Sequence, residues 1–192
     1  MRPTRIRDKQ MKKIAIIILM AIMPMLAIGQ NAEKELTKFE AFTSKTGSIT
    51  KFYDVNMPKI STYLGGKLEA SVRVVKKGAD KMYFFRVEKA ETSSSIARIA
   101  MIEYSDLVEV NKAIASLMSE VQSDKEAGYD YLENKFISND GFQVGYYVSG
   151  SSMRWFLKLE RYSSSTVFFS NTEDFVDAFR NAQTKIEEMR NQ

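Results

Sequence analysis

The sequence predicts an α+β fold, a mainly antiparallel twisted sheet of seven or eight strands with two long helices packed on one face. Three observations lead there. Short stretches alternate apolar and polar residues at period two. Two longer stretches, near 106–123 and 172–190, carry apolar residues at helical spacing. Turn-forming residues such as Lys77-Gly78-Ala79-Asp80, Asn139-Asp140-Gly141 and Gly150-Ser151 separate the short stretches.

In chain order, Leu36, Phe39 and Phe42 predict a short amphipathic helix stopped by Gly47. Ile49, Lys51, Tyr53 and Val55 then alternate with Thr50, Phe52 and Asp54, giving a first strand that ends before Pro58. A loop or helical turn fills Pro58 to Gly66. Three strands follow at Leu68 to Lys76, Met82 to Glu91 and Ile96 to Tyr104, the last after a Ser93-Ser94-Ser95 turn. The first long helix is expected to be capped by Ser105, with Asp106 and Glu109 at its positive end and Leu107, Val110, Ile114, Leu117 and Val121 inward. Strands near 130–138, 142–149, 153–162 and 166–170 lead to the second, capped by Asn171 or Thr172, with Phe175, Phe179, Ala182, Ile186 and Met189 inward. Asp106-Leu107-Val108-Glu109 and Asp174-Phe175-Val176-Asp177 begin the two helices 68 residues apart, which hints at a duplicated four-strand-plus-helix unit.

The hairpin around Gly150-Ser151 can be read in register. Gly at the first position of a two-residue loop suits a type II′ turn. The pairing then sets Val148 against Met153, Tyr146 against Trp155, Val144 against Leu157 and Phe142 against Leu159, an apolar face throughout. The other face sets Tyr147 against Arg154, Gly145 against Phe156 and Gln143 against Lys158.

The chain has 192 residues with no Cys and no His. Disulfides, thiol nucleophiles, thiolate metal sites and His-based catalytic sets are therefore excluded by composition. The net charge of +4 is uneven. Arg2, Arg5, Arg7, Lys9, Lys12 and Lys13 against Asp8 put +5 into the first 29 residues, and the remaining 163 carry −1. A body without basic surplus lacks the bulk signature of a nucleic-acid binder, so no nucleic-acid partner is expected.

A basic flank, an apolar run from Ile14 to Ile28 and small residues in Ala27-Ile28-Gly29 predict an export signal cleaved before Gln30. The run is 15 residues long and interrupted by Pro24, short of the roughly 20 that a membrane anchor needs. Met11-Lys12-Lys13 is the more typical start, so residues 1–10 can belong to an over-called gene start. Residues 30–192 then form a single α+β domain, periplasmic or secreted, with no stable membrane span after cleavage. In its leader, its N-terminal Gln after cleavage and its Cys-free β-rich body, the chain resembles small uncharacterised exported proteins of Gram-negative bacteria. The resemblance covers leader and general character and carries no functional residues.

No motif implies a cofactor, and no catalytic residue is identified. Asp124, Glu126, Gly128, Asp130 and Glu133 suggest calcium, but counting from Asp124 puts Gly128 fifth and Lys135 twelfth, which breaks the EF-hand spacing, so no metal site is expected. Gly65-Gly66 lacks the rest of a phosphate-binding loop and reads as a turn. The serine runs lack a convincing lysine base.

Three functional readings stand. The leading one is a non-catalytic module that binds a protein or envelope partner through the outer sheet face, using Tyr147, Arg154, Phe156, Lys158 and Gln143. The second is a small-molecule or lipid carrier with an apolar pocket between sheet and helices, lined by Tyr146, Trp155, Phe175 and Phe179. The third is a His-free hydrolase using paired carboxylates among Glu103, Asp106, Glu109 and Glu160. A homodimer through exposed strand edges is left open.

Overall fold

A computed structural model describes residues 35–90, 97–162, 165–169 and 171–192. The expected leader, the Ser93 to Ser95 turn and part of the Ser163 to Ser165 run lie outside the described residues. The fold of the described residues is α+β, built from eight antiparallel strands and two long helices. The strands fall into two four-stranded sheets, each a simple meander, rather than into one.

The first sheet comprises β1 (Thr50–Ser61), β2 (Lys67–Lys77), β3 (Asp80–Lys89) and β4 (Arg98–Glu103), preceded by a short helix α1 (Lys38–Thr43). Helix α2 (Tyr104–Glu126) follows. The second sheet comprises β5 (Tyr131–Ile137), β6 (Gln143–Ser149), β7 (Ser152–Lys158) and β8 (Val167–Phe168), and helix α3 (Thr172–Arg190) closes the chain. Four strands and a long helix therefore occur twice in succession.

Three local expectations are corrected. Strand β1 does not stop before Pro58 but runs through it to Ser61. It is an edge strand, and its register with β2 breaks between Met57 and Ile60, so the missing proline N–H falls where no ladder bond is needed. Helix α1 begins after Leu36, which is exposed, because Thr37 caps it in a reciprocal box with Glu40. Helix α2 is capped by Glu103, whose carboxylate accepts from the Ser105 amide at 2.8 Å, so Ser105 lies inside the first turn.

The β6–β7 hairpin has the predicted register, with Tyr146 opposite Trp155, Val144 opposite Leu157 and Ser149 opposite Ser152. Gly150 has φ +56 while Ser151 stays at negative φ, as the type II′ turn requires. The preceding loop places Gly141 at φ +87, with its N–H donating to the Ser138 carbonyl. An αL glycine there is the usual way to end a three-residue hairpin loop.

One continuous core joins the sheets and the long helices. The helices do not simply cover the sheets that precede them. Helix α3, which follows the second sheet, packs on β1, β2 and β3, while α2 lies across β3 and β4 of the first sheet and β5 and β6 of the second. The ring of Phe179 shows the interlocking, with centroids 5.0 Å from Phe85 of β3 and 5.6 Å from Phe142 beside β6. On the other face of the first sheet α1 supplies Phe39, edge-on to the fully buried Phe84 at 5.4 Å.

Candidate functional site

The residues expected to form a binding surface lie on the outer face of the second sheet, in the predicted pairs Gln143–Lys158, Gly145–Phe156 and Tyr147–Arg154. They are unequally exposed. Phe156 is only 3 % exposed, because the bare backbone of Gly145 lies on one side of it and β8 supplies Phe168 on the other. A β-carbon at position 145 would stand 2.3 Å from the Asn134 carbonyl oxygen, so the sheet closes tightly there. Phe156 therefore supports the face from beneath and is not itself a contact residue.

Gln143, Tyr147, Arg154 and Lys158 remain half-buried. Three rings run across the face: Tyr131 of β5 stacks on Tyr147 at 6.2 Å, and Tyr147 meets Phe168 edge-on at 6.0 Å. At the far side the Arg154 guanidinium sits 3.9 Å from the centre of the Tyr63 ring, which comes from the β1–β2 turn. Tyr131 donates to Glu133 at 2.8 Å, and this bond is the main reason its phenol pKa is raised. Lys135 in turn donates to Glu133 at 2.5 Å and holds that carboxyl below its ordinary range. Tyr131, Phe168 and Tyr63 escape a reading from the hairpin alone, since each comes from a different element.

Beside Tyr63 lies a cleft of about 190 Å³ between the β1–β2 turn and β8, walled by Leu68, Val167 and Phe168, with Lys67 and Lys89 at its margin. Neither lysine makes an ion pair among the described residues. At the lip Leu64 is 86 % exposed and holds φ +64. A leucine in the left-handed region is strained backbone, held here between Tyr63 and Gly65 in a turn closed by the Thr62 N–H to Gly66 carbonyl bond.

The rings proposed for a carrier pocket touch one another. Tyr146 and Trp155 are 5.0 Å apart, Trp155 and Phe175 5.4 Å, and Phe175 and Phe179 6.5 Å. All four are buried in the common core. The Tyr146 hydroxyl reaches the helix, donating to Asp124 at 2.6 Å, while the Asn134 amide bridges Glu120 and Asp124. Burial, reinforced by the bond to Asp124, pushes the Tyr146 phenol up to about 12.

Among the carboxylates considered for hydrolysis, Glu109 pairs with Lys112 and Glu160 with Arg98. Glu103 and Asp106 do converge, on the ammonium of Lys38 at 3.6 and 2.6 Å. The same ammonium lies 2.9 Å from the Ser105 hydroxyl, the spacing of a serine–lysine dyad. Its charge state is wrong for a base. Burial works against the ammonium, but the hydrogen bond to Asp106 and the charges of Asp106, Glu103 and Asp140 outweigh it and raise the Lys38 pKa. A general base must be neutral to take the serine proton. The arrangement instead ties α1 to α2 and, through the Lys38 N–H to the Asp140 carboxylate, to the β5–β6 turn.

Asp124 and Glu133, from the calcium-like spacing, serve Tyr146 and Lys135 respectively. Among the described residues no group of three or more acidic, His or Cys side chains is placed to hold a metal ion. No helix among them is long and apolar enough to cross a membrane. No family model matches the chain, and neither a curated protein nor a solved structure matches it.

Proposed function

We propose that the chain is an exported, non-catalytic interaction module that binds a protein or envelope partner through the outer face of the second sheet, in the periplasm or outside the cell. The observation that carries this is the Tyr131–Tyr147–Phe168 row, flanked by Arg154 under Tyr63. Tyrosine, phenylalanine and arginine presented together, with rigid strands beneath them, are the chemistry of protein contact surfaces. Tyr131 is 58 % exposed and Tyr63 40 %, so the row has area left to bury. The +5 leader ending at Gly29 supports export.

The test uses the full chain in its host, with a photo-cross-linking residue in place of Tyr131 or Tyr147 and a control at Glu188 on α3. A second polypeptide captured from the two sheet positions but not from α3, and lost with Arg154→Ala, supports the reading. Cross-links from all three sites alike, or from none, refute it. The mass of the mature chain read from the same preparation checks cleavage before Gln30.

A further inference from the structure

We infer that β5 is a self-complementary edge and that two copies of the chain pair through it, antiparallel, about a two-fold axis at Asn134. Among the described residues strand β5 ends its sheet, with a partner on one side only. The Ser138 N–H donates to the Phe142 carbonyl. The two-residue alternation of an antiparallel ladder then aims the backbone groups of Leu132, Asn134 and Phe136 at β6, and those of Tyr131, Glu133, Lys135 and Ile137 outward. Among the described residues the outward set is a row of donors and acceptors without partners, with side chains on the outer face.

Only some registers are allowed to such an edge. Side chains must stay on their own face, so outward residues pair with outward residues. Centring on Glu133 or on Lys135 would set like charges against each other. Centring on Asn134 sets Glu133 against Lys135 of the second copy twice over, and Tyr131 against Ile137 at both ends, while Leu132 meets Phe136 on the core side. The two end residues are 58 % and 52 % exposed in the single chain, the apolar area that such pairing would cover. Around the axis four charges would alternate in sign. The charges also guard the edge against other registers, since any slip by two residues loses the Glu–Lys match.

The other edges are less suited. Strand β1 carries Pro58, a register break, Lys51 and Lys59, and β8 has two residues. On β4, Arg98 and Glu103 are tied to residues outside the sheet, Glu160 and Lys38, whereas the Glu133–Lys135 pair lies within β5 itself. Pairing through β5 would join two four-stranded sheets into one eight-stranded sheet and bring the two aromatic rows side by side.

The test is sedimentation velocity on the mature chain over a concentration series, with circular dichroism to confirm that each variant is folded. Wild type should associate to a dimer. Glu133→Lys and Lys135→Glu each give the four axial charges one sign and should weaken the dimer about tenfold or more. The two single variants mixed should form a heterodimer, and the double exchange Glu133→Lys with Lys135→Glu in one chain should restore self-association. A wild type that stays monomeric throughout, or single variants that dimerise as well as wild type, would overturn the inference.

Discussion

Replacing Phe179 by alanine removes a ring that is fully buried and touches both sheets, through Phe85 at 5.0 Å and Phe142 at 5.6 Å. Truncating a buried phenylalanine to alanine costs about 3–5 kcal/mol, the transfer loss plus the cavity left behind. The lost ring pairs place this site in the upper half of that range, about 4–5 kcal/mol. Domains of this size are stable by about 5–15 kcal/mol, so roughly a quarter or more of the total is at stake. With a urea slope of about 2–3 kcal/mol per molar, the midpoint should fall by roughly 2 M. The assay is equilibrium unfolding followed by the fluorescence of Trp155, in the second sheet, and by the helical circular dichroism. Both probes should shift together, because the ring ties the two halves into one core. A loss below about 2 kcal/mol, or a fluorescence transition that separates from the dichroism, would refute the claim that the two sheets share one cooperative core. Phe52→Ala is the control: 46 % exposed on an edge strand, it should cost about 1 kcal/mol or less.

Four further outcomes are expected. The Tyr146 phenol, raised to about 12 when folded against an ordinary value near 10.0, stays protonated where the unfolded chain has released its proton, so its contribution is whole below pH 10 and is lost as pH rises towards 12. Tyr146→Phe should flatten that alkaline decline in a stability-versus-pH series. Lys38→Met leaves Asp106 buried without its cation and should cost about 2–4 kcal/mol in urea unfolding, with much of the loss recovered when Asp106→Asn is added. Gly145→Ala drives a β-carbon into the Asn134 carbonyl and the Lys135 backbone and should cost about 2–3 kcal/mol in the same assay. Leu64→Gly relieves left-handed strain at a residue with no packing to lose and should leave the melting temperature unchanged or raise it by a degree or two, about 0.5 kcal/mol.

The parts of the fold legible in the sequence are those whose determinants lie close together. Gly150-Ser151 and the alternating Phe142 to Leu159 segment set turn and register within one hairpin, and Phe175, Phe179, Ala182 and Ile186 mark the inner stripe of α3. The passage of β1 through Pro58 was not legible, because it depends on the strand being an edge, which only the assembled sheet decides. The split into two sheets and the crossing of α3 to the first are likewise properties of packing between distant segments. At the candidate site, the Tyr147–Arg154 pair followed from register. The burial of Phe156, the stacking of Tyr131 and the clamp by Tyr63 required knowing that β5, β8 and the β1–β2 turn border the same face. The Lys38 cluster joins residues 67, 68 and 102 positions apart, beyond any local pattern.

The crossing of α3 bears on whether either half of the chain can stand without the other. The helix that packs on β1, β2 and β3 lies beyond the whole second sheet along the chain, 19 residues from Thr172 to Arg190. Without it, Phe85 lacks Phe179, and the first sheet has no finished core to close upon. The N-terminal half therefore cannot complete its fold by itself, and a product truncated before Thr172 would be a protease substrate rather than a smaller working domain.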